Sequence, residues 1–336
     1  MTYEGAKGQT ADEIKSVFHF PETNTLRSNF ASIYNDINKK DKPYTLSTGN
    51  ALWVQQDYPF LEDYTSRVEK YYGGKAANLD FRRETEKSRQ TINTFIEEQT
   101  NDKIKNLIPP GILDGSTVLV LTNAIYFKGM WVKQFNKKET RDEDFRTGSG
   151  QAVKVPMMRS TGDDARFNYA ETDNIQLLEM PYDGKDLSML IILPRENNLD
   201  NVESQITSTK LFEWKSMLNE QNVDIFIPKF KFEAKYFLVE SLSNMGMPTA
   251  FTGAADFSEM DGTKTLLIDK VIHQAFVEVN EEGTEAAAAT AVIIIKSSAT
   301  IGYKKEFRAD HPFIFIIQEK NTGNILFMGR VTDPTK

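Results

Sequence analysis

The feature that most constrains the fold is a ten-residue run of almost continuous apolar residues, Val118 to Phe127. An amphipathic strand alternates apolar and polar residues, whereas a strand that is apolar on both sides is covered on both faces. The run therefore predicts a sheet with other elements against each face. Shorter strand-like runs lie at 187–193, 223–227 and 271–279, and residues 312–317 and 325–328 flank a polar turn and predict a hairpin.

Helical patterns dominate the first third of the chain. Apolar residues recur at spacings of three and four from Leu26 to Ile37, and two further helices are predicted at 60–72 and 86–104. Residues 44–55 are rich in strand formers, and short helices are predicted at 208–218 and 235–245. No repeat, low-complexity linker or break in composition divides the 336 residues. The sequence therefore predicts one α+β domain.

Composition and motifs exclude most kinds of enzyme site. The chain has no cysteine, which rules out disulfides, thiolate catalysis and cysteine-bound metal centres. Its three histidines, His19, His273 and His311, form no metalloprotease motif, and no nucleophile-elbow, Walker or dinucleotide-binding sequence is present. We therefore predict no enzymatic activity, no cofactor and no metal site. His273 is interpreted as a hydrogen-bonded core residue on the apolar face of its strand.

Charge and hydropathy limit the kinds of partner. Forty basic residues against 48 acidic residues give a net charge of −8, whereas binding to a nucleic-acid backbone requires a concentrated basic face. No apolar run reaches the length of a membrane span. The first residues also lack the basic and then apolar pattern of a signal peptide. We predict neither a nucleic-acid partner nor a membrane partner.

One segment has an unusual composition for a surface loop or a helix. Between Thr284 and Ile295 only Glu285 is charged and there is no proline. The alanines at 286–289 favour a helix, but the β-branched residues at 292–295 disfavour one. An exposed, uncharged strand former promotes aggregation. The segment is therefore either a buried strand or helix, or a loop kept exposed because it later becomes a strand. Every second residue from 284 to 294 is uncharged, which is the pattern of a strand with one apolar face. This pattern favours the second alternative, an exposed loop that later becomes a strand.

The sequence around this segment resembles the serpins, a family of protease inhibitors. EEGTEAAAATA at 281–291 is similar to the hinge of inhibitory members, and ADHPFIFII at 309–317 with GRVTDP at 329–334 resembles the family's closing signature. TNAIYFKGMW at 122–131 and KVPMM at 154–158 resemble two further blocks. The resemblance implies a single serpin domain over residues 1–336. Its α+β fold would have a large, mostly antiparallel central sheet, two smaller sheets and an exposed reactive-centre loop at about 281–303.

The resemblance also implies a mechanism. A target serine protease forms an acyl-enzyme on the reactive loop, and the cut loop inserts into the central sheet and distorts the protease. Counting along the loop places the scissile bond at Ser297–Ser298, where small or aliphatic neighbours suggest an elastase-like or subtilisin-like target. A loop one residue shorter would be cut at Lys296–Ser297 and would suggest a trypsin-like target. A non-inhibitory relative that binds or chaperones a partner is the alternative.

Individual roles follow from the same resemblance. Asn123 and His273 match the shutter pair, where the central sheet parts. Trp131 matches the aromatic residue at the breach, where insertion begins. Lys229 and Glu281 match an ion pair that holds the sheet shut at the breach. The matching hinge residues are Glu281, Gly283, Thr284, Glu285, Ala286, Ala287, Ala288 and Ala289.

The family pattern also bears on the start of the chain. Serpins have a helix, a short strand and part of a second helix before a motif like MTYEGAKG at 1–8. The resemblance therefore predicts a chain that lacks the first helix and the first strand. It also favours an extracellular monomer that can form loop–sheet polymers.

Overall fold

The computed structural model describes residues 1–37, 39, 42–284 and 304–336. Its α-helices are α1 (Gly8–Val17), α2 (Thr23–Ile37), α3 (Glu62–Tyr72), α4 (Thr85–Gln99), α5 (Leu199–Glu203), α6 (Ser208–Ser216), α7 (Val239–Met245) and α8 (Ser258–Asp261). Its strands are β1 (Tyr44–Thr48), β2 (Ala51–Gln55), β3 (Lys75–Leu79), β4 (Leu119–Met130), β5 (Arg141–Arg146), β6 (Ala152–Ser160), β7 (Arg166–Glu171), β8 (Ile175–Pro181), β9 (Leu187–Pro194), β10 (Asn219–Pro228), β11 (Phe230–Phe237), β12 (Lys270–Val279), β13 (Gly283–Thr284), β14 (Lys305–Arg308), β15 (Phe313–Glu319) and β16 (Ile325–Val331).

These elements form two compact units. The first unit comprises residues 1–41, 45–126 and 233–276, and the second comprises residues 42–44, 127–232 and 277–336. Strands β4 and β12 contribute residues to both units, because the division falls within each strand. Within the described ranges, none of the helices has the length and apolar character needed to cross a membrane.

The first unit is built around the buried strand β2. This strand pairs antiparallel with β4 and parallel with β3, and all five of its residues are buried. Alternate side chains point to opposite faces, so Trp53 packs in one cluster with Ile92 of α4. Leu52 packs in a second cluster with Val68 of α3. Helices on both faces therefore explain why the strand is apolar on both sides.

The prediction that residues 118–127 are covered on both faces holds only in part. On one side of β4, Val120, Ala124 and Tyr126 are buried in the cluster that contains α4. On the other side, Leu121 and Asn123 are only half-buried. They border a cleft of about 430 Å³, so the middle of this face is less closely packed than the other.

The second unit contains two sheets that share β10. The first half of this strand, 219–222, pairs with β7, and its second half, 225–228, pairs with β6. One sheet therefore has the order β16-β15-β9-β8-β7-β10, and the other consists of β5, β6, β10 and β14. Strands β9 and β15 contribute Ile192 and Ile314 to a core cluster that Trp214 of α6 completes.

A seven-stranded sheet has the order β11-β12-β13-β4-β2-β3, with β1 paired to β4. The described residues thus form one sheet of seven strands and two smaller sheets. The seven-stranded sheet is mixed: β13 pairs antiparallel with both of its neighbours and β2 pairs antiparallel with β4, whereas β2 pairs parallel with β3 and β4 pairs parallel with β12.

Several predicted elements have different limits in the structure. The hairpin of β15 and β16 is confirmed. Helix α4 ends at Gln99 rather than Ile104, because Asn101 and Asp102 adopt positive φ angles of 51° and 60°. The helix predicted at 235–245 begins only at Val239, since the preceding residues continue strand β11. Helices α1, α5 and α8 and strands β3, β5 to β8, β11 and β14 were not predicted.

Candidate functional site

The start of the predicted hinge forms a short strand inside the seven-stranded sheet. Thr284 of β13 pairs antiparallel with Val279 of β12 on one side and with Gly129 of β4 on the other. Just before it, the Trp131 amide donates a hydrogen bond of 2.9 Å to the carbonyl oxygen of Glu282. The backbone of this segment is therefore part of the sheet in the intact chain.

Gly283 allows β13 to approach β4 closely, and Gly129 of β4 leaves room for the ring of Phe127. A Cβ atom on Gly283 would lie 2.0 Å from the carbonyl oxygen of Gly129. A Cβ atom on Gly129 would lie 2.7 Å from the ring of Phe127. Neither contact is compatible with a larger residue, because the Gly283 contact is with rigid backbone and the Phe127 ring is buried in the core. The close approach of β13 to β4 thus requires glycine at 283, and the packing of the Phe127 ring requires glycine at 129.

Thr284 is fully buried, and its hydroxyl has a buried partner. Its Oγ1 lies 2.7 Å from the hydroxyl oxygen of Tyr182. The Tyr182 ring stacks on Trp131 with a centroid distance of 4.5 Å, and the Trp131 indole donates a 3.0 Å hydrogen bond to the carbonyl oxygen of Asn280. Burial raises the pKa of the Tyr182 phenol, so it keeps its proton and can share it with Thr284.

Two consecutive buried carboxylates precede β13. Glu281 and Glu282 are 3% and 5% exposed, so each requires a partner. The Lys229 ammonium lies 3.0 Å from one carboxylate oxygen of Glu281, and the Thr140 hydroxyl donates a 2.8 Å hydrogen bond to the other. Glu282 forms an ion pair with Lys137. We call Trp131, Tyr182, Lys229, Glu281 and Thr284 the breach cluster.

The environment of Glu281 favours its charged form. Burial alone would raise the pKa of this carboxyl group. Hydrogen bonds from its own backbone amide, from Lys229 and from Thr140 outweigh burial and hold the pKa below its ordinary value. The Lys229–Glu281 ion pair is therefore present at neutral pH and weakens only in acid.

Asn123 and His273 lie side by side in the first unit. His273 Nδ1 contacts the Asn123 side-chain oxygen, and the Asn123 amide nitrogen donates to the side-chain oxygen of Asn50. Since an amide oxygen only accepts, His273 carries its proton on Nδ1. We call these three residues the shutter cluster. Burial lowers the pKa of His273, which favours the neutral ring.

The position of His273 differs from the sequence-based interpretation. The more deeply buried face of β12 carries Ile272, Gln274 and Phe276, whereas His273 is half-buried on the other face. It borders the cleft of about 430 Å³, and its ring stacks on that of Tyr236. The cleft reduces the burial that an apolar alternation would otherwise predict.

The structure adds four residues that sequence reasoning missed. Tyr182 and Asn50 belong to the breach and shutter clusters, and Lys137 and Thr140 contact Glu282 and Glu281. The adjacent Glu281 and Glu282 imply two cationic partners, but sequence alone does not identify Lys137. The breach and shutter clusters lie in different units.

Other predicted site residues lie outside the described residues: Glu285, Ala286, Ala287, Ala288, Ala289, Lys296, Ser297 and Ser298.

Comparison with known proteins establishes the family. A family model described as Serpin (serine protease inhibitor) matches residues 1–334. The chain belongs to the serpin family. The match includes both compact units, and the α+β serpin fold is confirmed by solved structures of serpins that are similar over nearly the whole chain.

The names of the proteins similar to this serpin describe different roles. Human Serpin B3 is 41% identical over 355 residues, which cover 99% of this chain and 90% of that protein. Rat Leukocyte elastase inhibitor A is 41% identical, with coverage of 99% and 89%. The crystal structure of human thyroxine-binding globulin matches with a TM-score of 0.89 at 30% identity, covering 100% of this chain and 88% of that chain.

Proposed function

We propose that this serpin inhibits serine proteases as a suicide substrate whose cleaved loop enters the seven-stranded sheet. The observation that carries the proposal is the position of Thr284. Its side chain is fully buried in β13, between β4 and β12. The segment that must insert therefore has its first side chain in the sheet while the chain is intact. Insertion then lengthens an existing strand, so no new strand has to be nucleated.

The strands on either side of β13 favour such lengthening. Because β4 and β12 run parallel, a strand between them is antiparallel to both. Beyond β13 they pair directly with each other over seven residue pairs, from Lys270–Val120 to Phe276–Tyr126. An inserted strand replaces these pairings and adds its own hydrogen bonds, at about 1 kcal/mol net for each. It also buries an uncharged face, with a gross gain of roughly 5–8 kcal/mol.

The protease supplies the covalent chemistry in this mechanism. Its serine hydroxyl attacks the carbonyl carbon of Ser297, the amine of Ser298 leaves, and Ser297 remains bound to the protease as an ester. Insertion of the cut loop competes with hydrolysis of this ester. Fast insertion traps the protease, whereas slow insertion releases an active protease and a cut serpin. The serpin itself contributes no catalytic group.

The loop sequence suggests the target class. Aliphatic Ile293, Ile294 and Ile295, followed by small residues at 297 and 298, suit an elastase-like or subtilisin-like protease. Cleavage after Lys296 would instead indicate a trypsin-like target. The similarity to the rat relative, an elastase inhibitor by name, supports the first class.

Incubation with elastase, subtilisin and trypsin tests the proposal. We expect a covalent complex that survives denaturing electrophoresis with elastase or subtilisin, and mass spectrometry of the released peptide should identify a cut after Ser297. The same proteases with a blocked active-site serine are the control and should form no complex. Cleavage by all three proteases without a covalent complex would contradict inhibition by this mechanism.

A non-inhibitory binding role is the second candidate. The similarity to thyroxine-binding globulin supports it, because that protein is by name a binding protein. A binding protein of this fold would be cut in the loop without trapping the protease. The electrophoresis experiment therefore separates the two functions.

A further inference from the structure

A cleft beside Trp131 has the composition of a small-molecule site, and the proposed inhibitory mechanism does not use it. The cleft lies in the second unit and encloses about 280 Å³. Trp131, Phe167, Met180 and Pro181 form its apolar walls. Phe167 and Met180 are buried, so this part of the wall is fixed by core packing. Ligand sites are concave and mostly apolar with a few polar groups, and this volume suits one bicyclic ring system.

The rim of the cleft carries more positive than negative charge. Arg166 is paired with Glu220 at 3.3 Å, and Lys320 is paired with Glu179 at 3.3 Å. Lys133 instead donates to the carbonyl oxygens of Arg166 at 2.8 Å and Asp164 at 3.3 Å, and lies 5.4 Å from the ring centre of Phe167. Among the residues that the structure describes, no carboxylate forms an ion pair with it.

Lys185 supplies a second positive charge that is not neutralised. Within the described residues, its side chain has no ion-pair or hydrogen-bond partner, although the residue lines the cleft. Its backbone adopts a φ of 61°, a conformation that residues other than glycine rarely adopt. A 2.8 Å hydrogen bond from its amide to the Tyr182 carbonyl oxygen holds this turn. The turn thus keeps a free ammonium group at the edge of an aromatic cleft.

We propose that this cleft binds a small, planar, apolar anion, such as an aromatic carboxylate. The ring packs against Trp131 and Phe167, and the anionic group lies between Lys133 and Lys185. Trp131 is also part of the breach cluster, where it stacks on Tyr182 and donates to Asn280. A bound ligand therefore stabilises the native arrangement of Trp131 and raises the thermal unfolding midpoint by mass action. The proposal concerns a separate activity and does not rest on inhibition.

Titration with 2-naphthoate, followed by tryptophan fluorescence and by the unfolding midpoint, tests the site. We expect saturable binding of 2-naphthoate and much weaker binding of the neutral analogue 2-naphthalenemethanol. In the Trp131→Phe variant the fluorescence change should be lost while the shift in midpoint remains, since Trp53 and Trp214 are buried away from the cleft. No protease is present, so the result is independent of the proposed inhibitory function.

Charge variants identify the rim residues. Lys185→Ala and Lys133→Ala should each weaken 2-naphthoate binding about two- to five-fold, as expected for partly exposed charges. Lys105→Ala removes an exposed lysine of the first unit and should leave binding unchanged. Val132→Glu places a negative charge at the rim and should abolish binding, with the unfolding midpoint as the check on folding. Equal binding of the neutral analogue, or equal weakening by Lys105→Ala, would overturn the proposal.

Discussion

At the level of single residues, the hydroxyl pair of Thr284 and Tyr182 joins the start of the loop to the sheet. Both side chains are buried, and each hydroxyl satisfies the other at 2.7 Å. A buried hydroxyl without a partner is unfavourable, so the pair favours one position for Thr284. This position is also the one from which insertion would continue.

Thr284→Arg should convert the inhibitor into a substrate. A buried, unpaired charge costs about 3–5 kcal/mol, so β13 should leave the sheet and insertion should slow. We expect the stoichiometry of inhibition to rise several-fold, because more proteases hydrolyse the ester before insertion. Thr284→Ser keeps the hydroxyl that meets Tyr182 and adds no charge, so it is the matched control. A parental stoichiometry in the arginine variant would show that inhibition does not require residue 284 to stay within the sheet.

Glu281 should make the stability of this serpin depend on acidic pH. Its pKa is lowered in the folded state, so the group stabilises the fold above its unfolded pKa of about 4.3. That stability is lost as the pH falls through the folded value. Relative to the parent, Glu281→Gln should have a lower unfolding midpoint at pH 7, and the difference should disappear in acid.

Calorimetry of both proteins between neutral and strongly acidic pH gives this difference directly. Glu240→Gln, at an exposed position of α7, is the matched control and should follow the parent at every pH. If the midpoints of the parent and of Glu281→Gln differed by the same amount throughout the range, Glu281 would not be the titrating group.

At the level of elements, β13 determines how the seven-stranded sheet can change. It is only two residues long and is held between β4 and β12 by the close approach at Gly283. Lengthening β13 must separate β4 from β12, which pair directly in the first unit. The sheet therefore has a defined place where a new strand starts and a defined pair of strands that must part.

Gly283→Ala should displace β13 and destabilise the protein. The added methyl group would lie 2.0 Å from the carbonyl oxygen of Gly129, so the strands must move apart. Overpacking of this kind costs about 1–3 kcal/mol, which should lower the unfolding midpoint measurably. Gly253→Ala adds the same methyl group where nothing lies within 4 Å and should have little effect. Equal midpoints for the two variants would contradict the close packing at β13.

The elements that sequence predicted best are those with a strong, local apolar pattern. Strand β4, helix α3 and the β15–β16 hairpin have such patterns. The element ends that were predicted wrongly depend on backbone conformation. At Asn101 and Asp102, positive φ angles end helix α4, although Ile104 continues the apolar spacing of the helix. Strands β5, β6 and β7 were missed because their sequences carry charged residues, such as Arg141 and Glu171, at exposed or half-buried positions.

The candidate site was predictable to the extent that its residues lie in recognisable family motifs. Trp131, Lys229 and Glu281 were named from such motifs, and the structure brings all three into one cluster. Tyr182 was not named, because it contacts Thr284 across 102 positions of sequence and no local pattern marks that contact. The half-burial of His273 depends on a cleft, which likewise has no signature in a single strand.

At the level of the whole molecule, the separation of β4 from β12 that allows loop insertion also allows polymers to form. A separated pair of strands offers unpaired backbone groups to any strand former, including the loop of another copy. Lys229 and Glu281 form their ion pair beside the place where β13 enters the sheet. The pair is expected to favour the closed sheet and therefore the monomer.

Glu281→Lys should produce loop–sheet polymers on mild heating. The substitution replaces the 3.0 Å ion pair with repulsion from Lys229 and places a second cation where the chain is buried. Native gels after heating should show polymers, and a peptide that copies residues 284–295 should suppress them by occupying the same slot. The double exchange Lys229→Glu with Glu281→Lys should recover part of the monomer. Polymers that form equally with and without the peptide would exclude the loop–sheet mechanism.

The most direct test of loop insertion is the unfolding midpoint before and after a single cut near Ser297. If the cut segment enters the sheet between β4 and β12, it adds backbone hydrogen bonds and buried apolar area to the whole molecule. We expect the midpoint to rise by more than about 10 °C, and we expect no such rise for cut Thr284→Arg. An unchanged midpoint in the cut parental protein would contradict insertion and with it the proposed inhibitory mechanism.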